Sequence, residues 1–397
     1  MQKKIIALAV AGLASTAAFA QTNVTVYGVV DAALTYVNTN GGTRTNAVAA
    51  PGVAPTSANG RDAFSIQSGQ LAGSRLGFRG TEDLGNGLKA IFALEYALNI
   101  DQNTGVGAQS VANGTGAAVT SSTLQARQQY VGLSTKAGDI TLGRLYAPGF
   151  YLAGMDALVT SPALSVKFQA QTAAGASIDG SSASRWNNAV SYKTANFGGF
   201  SGHAVYSMGE VTNELAQGEN YGIGADYAAG PVAVKYVFQH ATNNAGGTLT
   251  MGVPSGATAG TLTGTQNEHY VGASFDMKVV KLMGSAQVLD KGGRANAGGQ
   301  AAQSAVYTIG AVVPVGKGNI HASYAYADLN SSTVGNASSG YNGDYNGVAV
   351  AYTHGLSKRT TAYTGLRYQD RDTKGTTLNG VGSAVTTVFG AGINHTF

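Results

Sequence analysis

The stretch Arg75-Leu-Gly-Phe-Arg-Gly-Thr-Glu-Asp-Leu-Gly-Asn-Gly-Leu-Lys-Ala-Ile-Phe-Ala-Leu-Glu-Tyr96 reads as two strands and the turn between them. On the first arm Leu76 and Phe78 alternate with Arg75 and Arg79. On the second, Leu88, Ala90, Phe92, Leu94 and Tyr96 fall on one face. Successive side chains of a strand point to opposite faces, so a period of two predicts strands with one apolar and one polar side. Asp83-Leu-Gly-Asn-Gly87 supplies the tight turn.

The same period runs outward in both directions. Thr25 to Val37 opens it. Further on, Trp186, Val190 and Tyr192 oppose Arg185, Asn187 and Ser191, and Val232, Val234, Tyr236 and Phe238 oppose Ala233, Lys235 and Gln239. Phe389, Ala391, Ile393 and Phe397 close the chain, and no segment sustains a helical period. The breaks are of two kinds. Those at 83–87, 137–139, 229–231, 315–318 and 355–358 are tight; those at 38–60, 100–123, 147–184, 242–267, 290–303 and 330–343 are long and rich in small polar residues. Alternating short turns and long loops fit hairpins that cross a membrane. At about 24 residues per strand and connection, the chain accommodates a 16-stranded antiparallel transmembrane β-barrel, an all-β fold. A glycine-rich secreted solenoid would carry a fixed short repeat, and none is present.

Composition agrees. Of 397 residues 57 are glycine, none is cysteine, and 11% are charged. That excludes disulfide scaffolds, thiolate metal sites and thiol catalysis, and a charged disordered tail protein. Met1 to Ala20, with Lys3-Lys4, a short apolar run and Ala18-Phe19-Ala20, has the form of a secretory signal peptide. The chain therefore divides into a signal peptide over 1–20 and one barrel domain over 21–397. Discarding Lys3 and Lys4 halves the formal charge of +4. So slight a basicity gives no case for a nucleic-acid partner.

In lipid the apolar parity faces outward and the polar parity lines the lumen. Arg75 and Arg79 then point inward opposite Leu76 and Phe78, as do Arg185 beside an outward Trp186 and Lys235 between Val234 and Tyr236. Over 124–136 Val131 and Leu133 share a parity with Arg127, and an outward Tyr130 is what turns Arg127 inward. An arginine facing acyl chains costs about 2–4 kcal/mol at mid-membrane. The period alone leaves open whether these charges act together or are separately solvated.

The segment Arg75 to Tyr96 resembles the second hairpin of general diffusion porins, in particular the trimeric porins of β-proteobacteria. Arg127-Gln-Gln-Tyr-Val-Gly-Leu with Ile140-Thr-Leu-Gly-Arg144 is similar to the next hairpin. Arg185-Trp-Asn-Asn-Ala-Val-Ser-Tyr with Asn196-Phe-Gly-Gly-Phe is similar to the hairpin after the constriction loop, and Gly392-Ile-Asn-His-Thr-Phe397 to the closing strand. The resemblance implies an outer-membrane channel of a Gram-negative bacterium for passive diffusion of ions and small hydrophilic solutes. It implies a homotrimer set among outer-membrane lipid and lipopolysaccharide, and an assembly signal at Phe397 read by the barrel-assembly machinery. It also implies a basic wall of Arg75, Arg127 and Arg185, with Arg79 and Arg144 nearby, facing a third loop, 147–184, that folds inward. Glu95 matches a wall carboxylate that anchors this loop. The loop lacks the Pro-Glu-Phe segment of enteric relatives. Its acids are Asp156 and Asp179, with Lys167 between them, and Asp156 is the candidate to face the arginines. Several arginines against about one carboxylate predict an anion-preferring constriction.

Other chemistry finds little support. The six histidines are scattered without ligand spacing, so neither a metal nor a cofactor is expected. There is no G-x-S-x-G elbow, and Gly310 to Gly318 lacks phosphate-loop spacing. A substrate-selective channel for phosphate or organic acids is the alternative; a barrel enzyme is the remote one.

Overall fold

The computed structural model describes residues 23–41, 61–101, 110–112, 118–120, 126–158, 161–179, 184–209, 218–243, 264–291, 302–331, 341–374 and 384–397. The expected signal peptide lies outside them. In chain order the strands begin with β1 (Asn23–Gly41), β2 (Arg61–Ser68), β3 (Arg75–Gly85) and β4 (Leu88–Ala97), followed by a small separate ribbon, β5 (Ser110–Ala112) and β6 (Ala118–Thr120). Next come β7 (Ala126–Thr135) and β8 (Gly138–Tyr146), then two helices, α1 (Pro148–Leu152) and α2 (Val166–Ala174). The rest are β9 (Arg185–Thr194), β10 (Phe200–Ser207), β11 (Asn220–Ala229), β12 (Val232–Asn243), β13 (Gly264–Asp276) and β14 (Lys281–Lys291). The last five are β15 (Ala302–Val315), β16 (Gly318–Ser331), β17 (Tyr341–Gly355), β18 (Thr360–Lys374) and β19 (Ala384–Thr396).

The strands of the main sheet pair antiparallel with their neighbours along the chain, β4 passing over the separate ribbon to β7, and β19 returns to pair with β1 from Val29↔Thr396 to Gly41↔Ala384. β2 and β3 are two halves of one stave, since both pair with β1, so the closed barrel has sixteen staves. Between them residues 69–74 step out of the ladder. Asp31 ties this detour down: its Oδ1 accepts from the Gln70 and Leu71 amides at 2.6 and 3.1 Å and from the Tyr363 hydroxyl at 2.9 Å, while Oδ2 accepts from Asn394 at 2.9 Å. One buried carboxylate thus joins the first two and the last two staves.

The tight breaks read from the sequence are turns here, helped by backbone that glycine adopts readily: Gly85, Gly87, Gly230 and Gly316 have φ of 86°, 78°, 56° and 60°. The turn after β13 has no glycine or proline, which is why it does not stand out in the sequence. Lys278 takes φ 68° there, and the Asp276 side chain accepts its amide at 2.8 Å.

The apolar parity forms an exposed outer band that includes Phe64, Ile66, Val131, Ile309 and Ile393. Apolar surface this extensive is covered by something in a stable protein, here lipid. The opposite face is not uniformly polar. Over β14 to β17 it carries Leu289, Val306, Ala325, Ala327, Leu329, Tyr345, Ala349 and Ala351, all buried against Leu158, Leu164, Val166, Ala170 and Ala174 of the segment after β8. The helix α2 is a departure from the all-strand expectation. Ser165 caps it by accepting the Phe168 amide at 3.0 Å, Gly175 ends it at φ 71°, and Val166, Lys167, Ala170, Gln171 and Ala174 make its buried stripe. Two turns are too short for a helical period to stand out among strands.

Candidate functional site

Glu95, 4% exposed, is the node of the site. Its Oε1 accepts from Arg127 Nε at 2.8 Å and from the Tyr146 hydroxyl at 2.7 Å, and its Oε2 accepts from the Tyr27 hydroxyl at 3.1 Å with Arg75 Nε at 3.9 Å. Strand register explains the meeting. Gly77 stands opposite both Tyr27 and Glu95, and its missing side chain leaves the space that the Tyr27 ring fills. Arg75 and Arg79 flank Gly77 on the same parity, and the Arg79 guanidinium lies 5.2 Å from the Tyr27 ring centroid. The Arg185 guanidinium lies 5.3 Å from the Tyr146 ring and 5.9 Å from Phe150, and that of Arg127 lies 5.9 Å from Tyr146. Four guanidinium groups therefore gather around one carboxylate and a patch of aromatic rings.

Arg127 reaches this cluster by a route that strict alternation does not give. Val131 and Leu133 are exposed on the outer band. Tyr130, expected to face outward, instead packs with Leu145, Ala147, Trp186, Ala189 and Val205. The register passes from Glu95↔Gln128 to Tyr96↔Ala126, so Arg127 is the extra residue of a β-bulge, and the bulge turns it back toward Glu95. A second irregularity corrects Trp186. The ladder jumps from Gly143↔Ala189 to Leu145↔Trp186, Asn188 takes φ 50°, and Trp186 is buried rather than outward.

These observations can be set beside known proteins. The family described as Gram-negative porin matches residues 7–374. The chain belongs to the Gram-negative porin family. It is 30% identical to outer membrane porin protein 32 of Delftia acidovorans over 387 residues, covering 96% of this chain and 94% of that protein. Among solved structures, an anion-selective porin from Comamonas acidovorans superposes with a TM-score of 0.68 at 25% identity, covering 95% of this chain and all of that one. OmpT of Vibrio cholerae in its trimer form shares the fold, with a TM-score of 0.62 at 14% identity over 95% of this chain and 99% of that one. The relatives are channels, and the porin is an outer-membrane protein.

The remaining expected residues of the porin lie elsewhere. Arg144 pairs with Gln129 on the parity of the exposed Ile140 and Leu142, and donates to the Ala126 carbonyl at 3.0 Å and to Asn187 Oδ1 at 2.5 Å, apart from Glu95. Asp156 does not face the arginines. It is buried, accepting from Ser165 Oγ at 2.7 Å and Ser323 Oγ at 2.5 Å, at the N-terminal end of α2 where a helix dipole favours a carboxylate. Lys235 lies on the parity opposite Val234 and Tyr236, directly across from Asp226. Phe397 exchanges two backbone hydrogen bonds of 3.1 Å with Gly28, and its ring covers the space a Gly28 side chain would need.

Three further cations lie inside, of which the sequence singled out only Lys167, and that without a role. Lys167 is buried, donating to the Ala153 carbonyl and to the Tyr270 hydroxyl, whose ring centroid is 4.5 Å from its ammonium. Arg367 is buried against the Ala163 carbonyl, and Lys193 lies on the Tyr151 ring. Parity held the signal for two of them: exposed Leu366 and Tyr368 flank Arg367, and exposed Tyr192 precedes Lys193. Lys167 is on the helix α2, where strand alternation says nothing.

Proposed function

We propose that this porin is an anion-preferring diffusion pore whose narrowest part is lined by Arg75, Arg79, Arg127 and Arg185. The single observation that carries the reading is the gathering, among the described residues, of four guanidinium groups around the Glu95 carboxylate. Low-dielectric walls focus that field on the aqueous path and raise the local concentration of anions. The Comamonas acidovorans neighbour, named as anion-selective, supports the same direction.

The connection between β8 and β9 acts as the inward third loop. In support, it bonds to staves well separated around the barrel: Ser161 Oγ to the Gln70 carbonyl at 2.6 Å, the Gly149 amide to Gln239 at 2.8 Å, the Ile178 amide to Glu268 at 3.0 Å, and the Ala157 carbonyl with His321 at 2.8 Å. A segment tied to so many staves crosses the interior. Phe397 marks the closing strand for the barrel-assembly machinery, and lipopolysaccharide and phospholipid cover the outer band of a homotrimer.

Reversal potentials in planar bilayers under a KCl gradient test the selectivity. Wild type gives the sign of chloride preference, and replacing Arg75, Arg127 and Arg185 together by glutamine moves it toward zero. Cation preference in the wild type, or no movement in the triple variant, refutes the reading.

A further inference from the structure

We propose that the wall beside α1 holds a binding site for aromatic carboxylates, solutes that join a flat ring to an anion. The proposal rests on the reading of the chain as an anion-conducting pore. Its centre is Tyr151, which stays 42% exposed while Leu152 and Ala153 beside it are buried. The ring is held from several sides. It stands edge-on to Tyr146 at 5.6 Å and 86° and to Phe150 at 5.5 Å and 88°, and meets His203 at 5.4 Å. Tyr146 and Phe150 in turn stack at 3.7 Å and 4°. An exposed aromatic surface fixed in this way loses little freedom when a ligand ring joins it.

Charge completes the site. The Lys193 ammonium lies 5.4 Å from the Tyr151 centroid, and the Arg185 guanidinium lies over both Tyr146 and Phe150. Lys193 is exposed, and the carboxylate across the ladder from it is Asp139. Ring surface and cations are thus interleaved within the span of one small molecule. A bare inorganic anion uses only the cations, and a neutral sugar only the rings. A planar ring bearing a carboxylate uses both, because aromatic pairs favour edge-to-face and offset geometries that an aliphatic ring does not reproduce.

The test uses the full-length protein in planar bilayers in KCl, with benzoate, acetate, cyclohexanecarboxylate and glucose added in turn, and reads the concentration of each that halves the chloride current. Benzoate is expected to act at a concentration about five-fold below acetate and cyclohexanecarboxylate, the scale of one aromatic pair, with glucose inert. Tyr151→Leu and Lys193→Gln should each raise the benzoate value by about the same factor. The reversal potential of the Tyr151→Leu channel is expected to keep its chloride sign. Equal half-block by benzoate and cyclohexanecarboxylate, inhibition by glucose, or an unchanged benzoate value in Tyr151→Leu overturns the proposal. A wild-type channel that prefers chloride but is not blocked by benzoate removes this site alone, whereas cation preference in the wild type removes the pore reading beneath it.

Discussion

At the scale of single residues, Glu95 has two opposed effects. It is a carboxylate bonded within the arginine cluster, and so subtracts from the positive field, yet it also holds Arg127, Tyr27 and Tyr146 in place. Glu95→Gln should therefore strengthen chloride preference while weakening the fold. Removing one member of a largely buried ion pair costs about 3–5 kcal/mol in a dry interior, and the aqueous lumen screens part of that. Reversal potential and thermal unfolding in detergent read the two effects separately; a variant that loses chloride preference would contradict the assignment. Phe397 and Gly28 make a similar pair at the seam. Deleting Phe397 should sharply reduce insertion into the outer membrane if the strand end is an assembly signal. Gly28→Val keeps that signal but collides with the ring, and should cost about 1–3 kcal/mol of barrel stability. Unchanged insertion without Phe397 would leave only the packing role.

Whole elements show how irregular ladders place function. The bulge in β7 puts Arg127 on the cluster, and the jump between β8 and β9 buries Trp186. Regular ladder positions at the short-turn end carry a different pattern. Lys89, Lys193, Lys235 and Lys281 stand directly across from Asp83, Asp139, Asp226 and Asp276. Such opposite-charge pairs contribute about 0.2–1 kcal/mol each, and each aspartate offsets the field of the lysine that faces it. Asp226→Asn should unbalance Lys235 and increase chloride preference, and Lys235→Gln should decrease it. If the two reversal potentials shift in the same direction, the pairs do not balance one another.

For the molecule as a whole, the interior is divided. On the side of β14 to β17 the wall is apolar and covered by α2. Glu95 and the arginines lie on β3, β4, β7 and β9, so a pore running through the barrel passes on their side. Phe64 and Ile66 of β2 are among the most exposed residues of the outer band, 68% and 64% exposed, and the proposed homotrimer would set that stave between copies. Unheated samples should migrate on detergent gels as a trimer and convert to monomer on boiling. Phe64→Asp with Ile66→Asp should lower the temperature of that conversion, while monomer migration of the unheated wild type would dismiss the trimer.

Much of this was legible in the residues alone. Hydrophobic alternation is a local property of a strand half in lipid, so it reports barrel class, stave number and the parity of Arg75, Arg79 and Lys235 without knowledge of any neighbour. Family resemblance in the quoted hairpins added Arg127, Arg185 and Glu95 as partners. What alternation misses is any place where the ladder breaks its own period. Tyr130 and Trp186 face the other way because a single extra residue reverses every parity beyond it, and the cost of that insertion is set by cross-strand partners. Asp156 went to two serines rather than to the arginines because Ser323 on β16, far away in sequence, comes beside it only in the folded chain. Spacing therefore determined which residues line the barrel; only the closed ladder and the packing of α2 against it decided which of them touch.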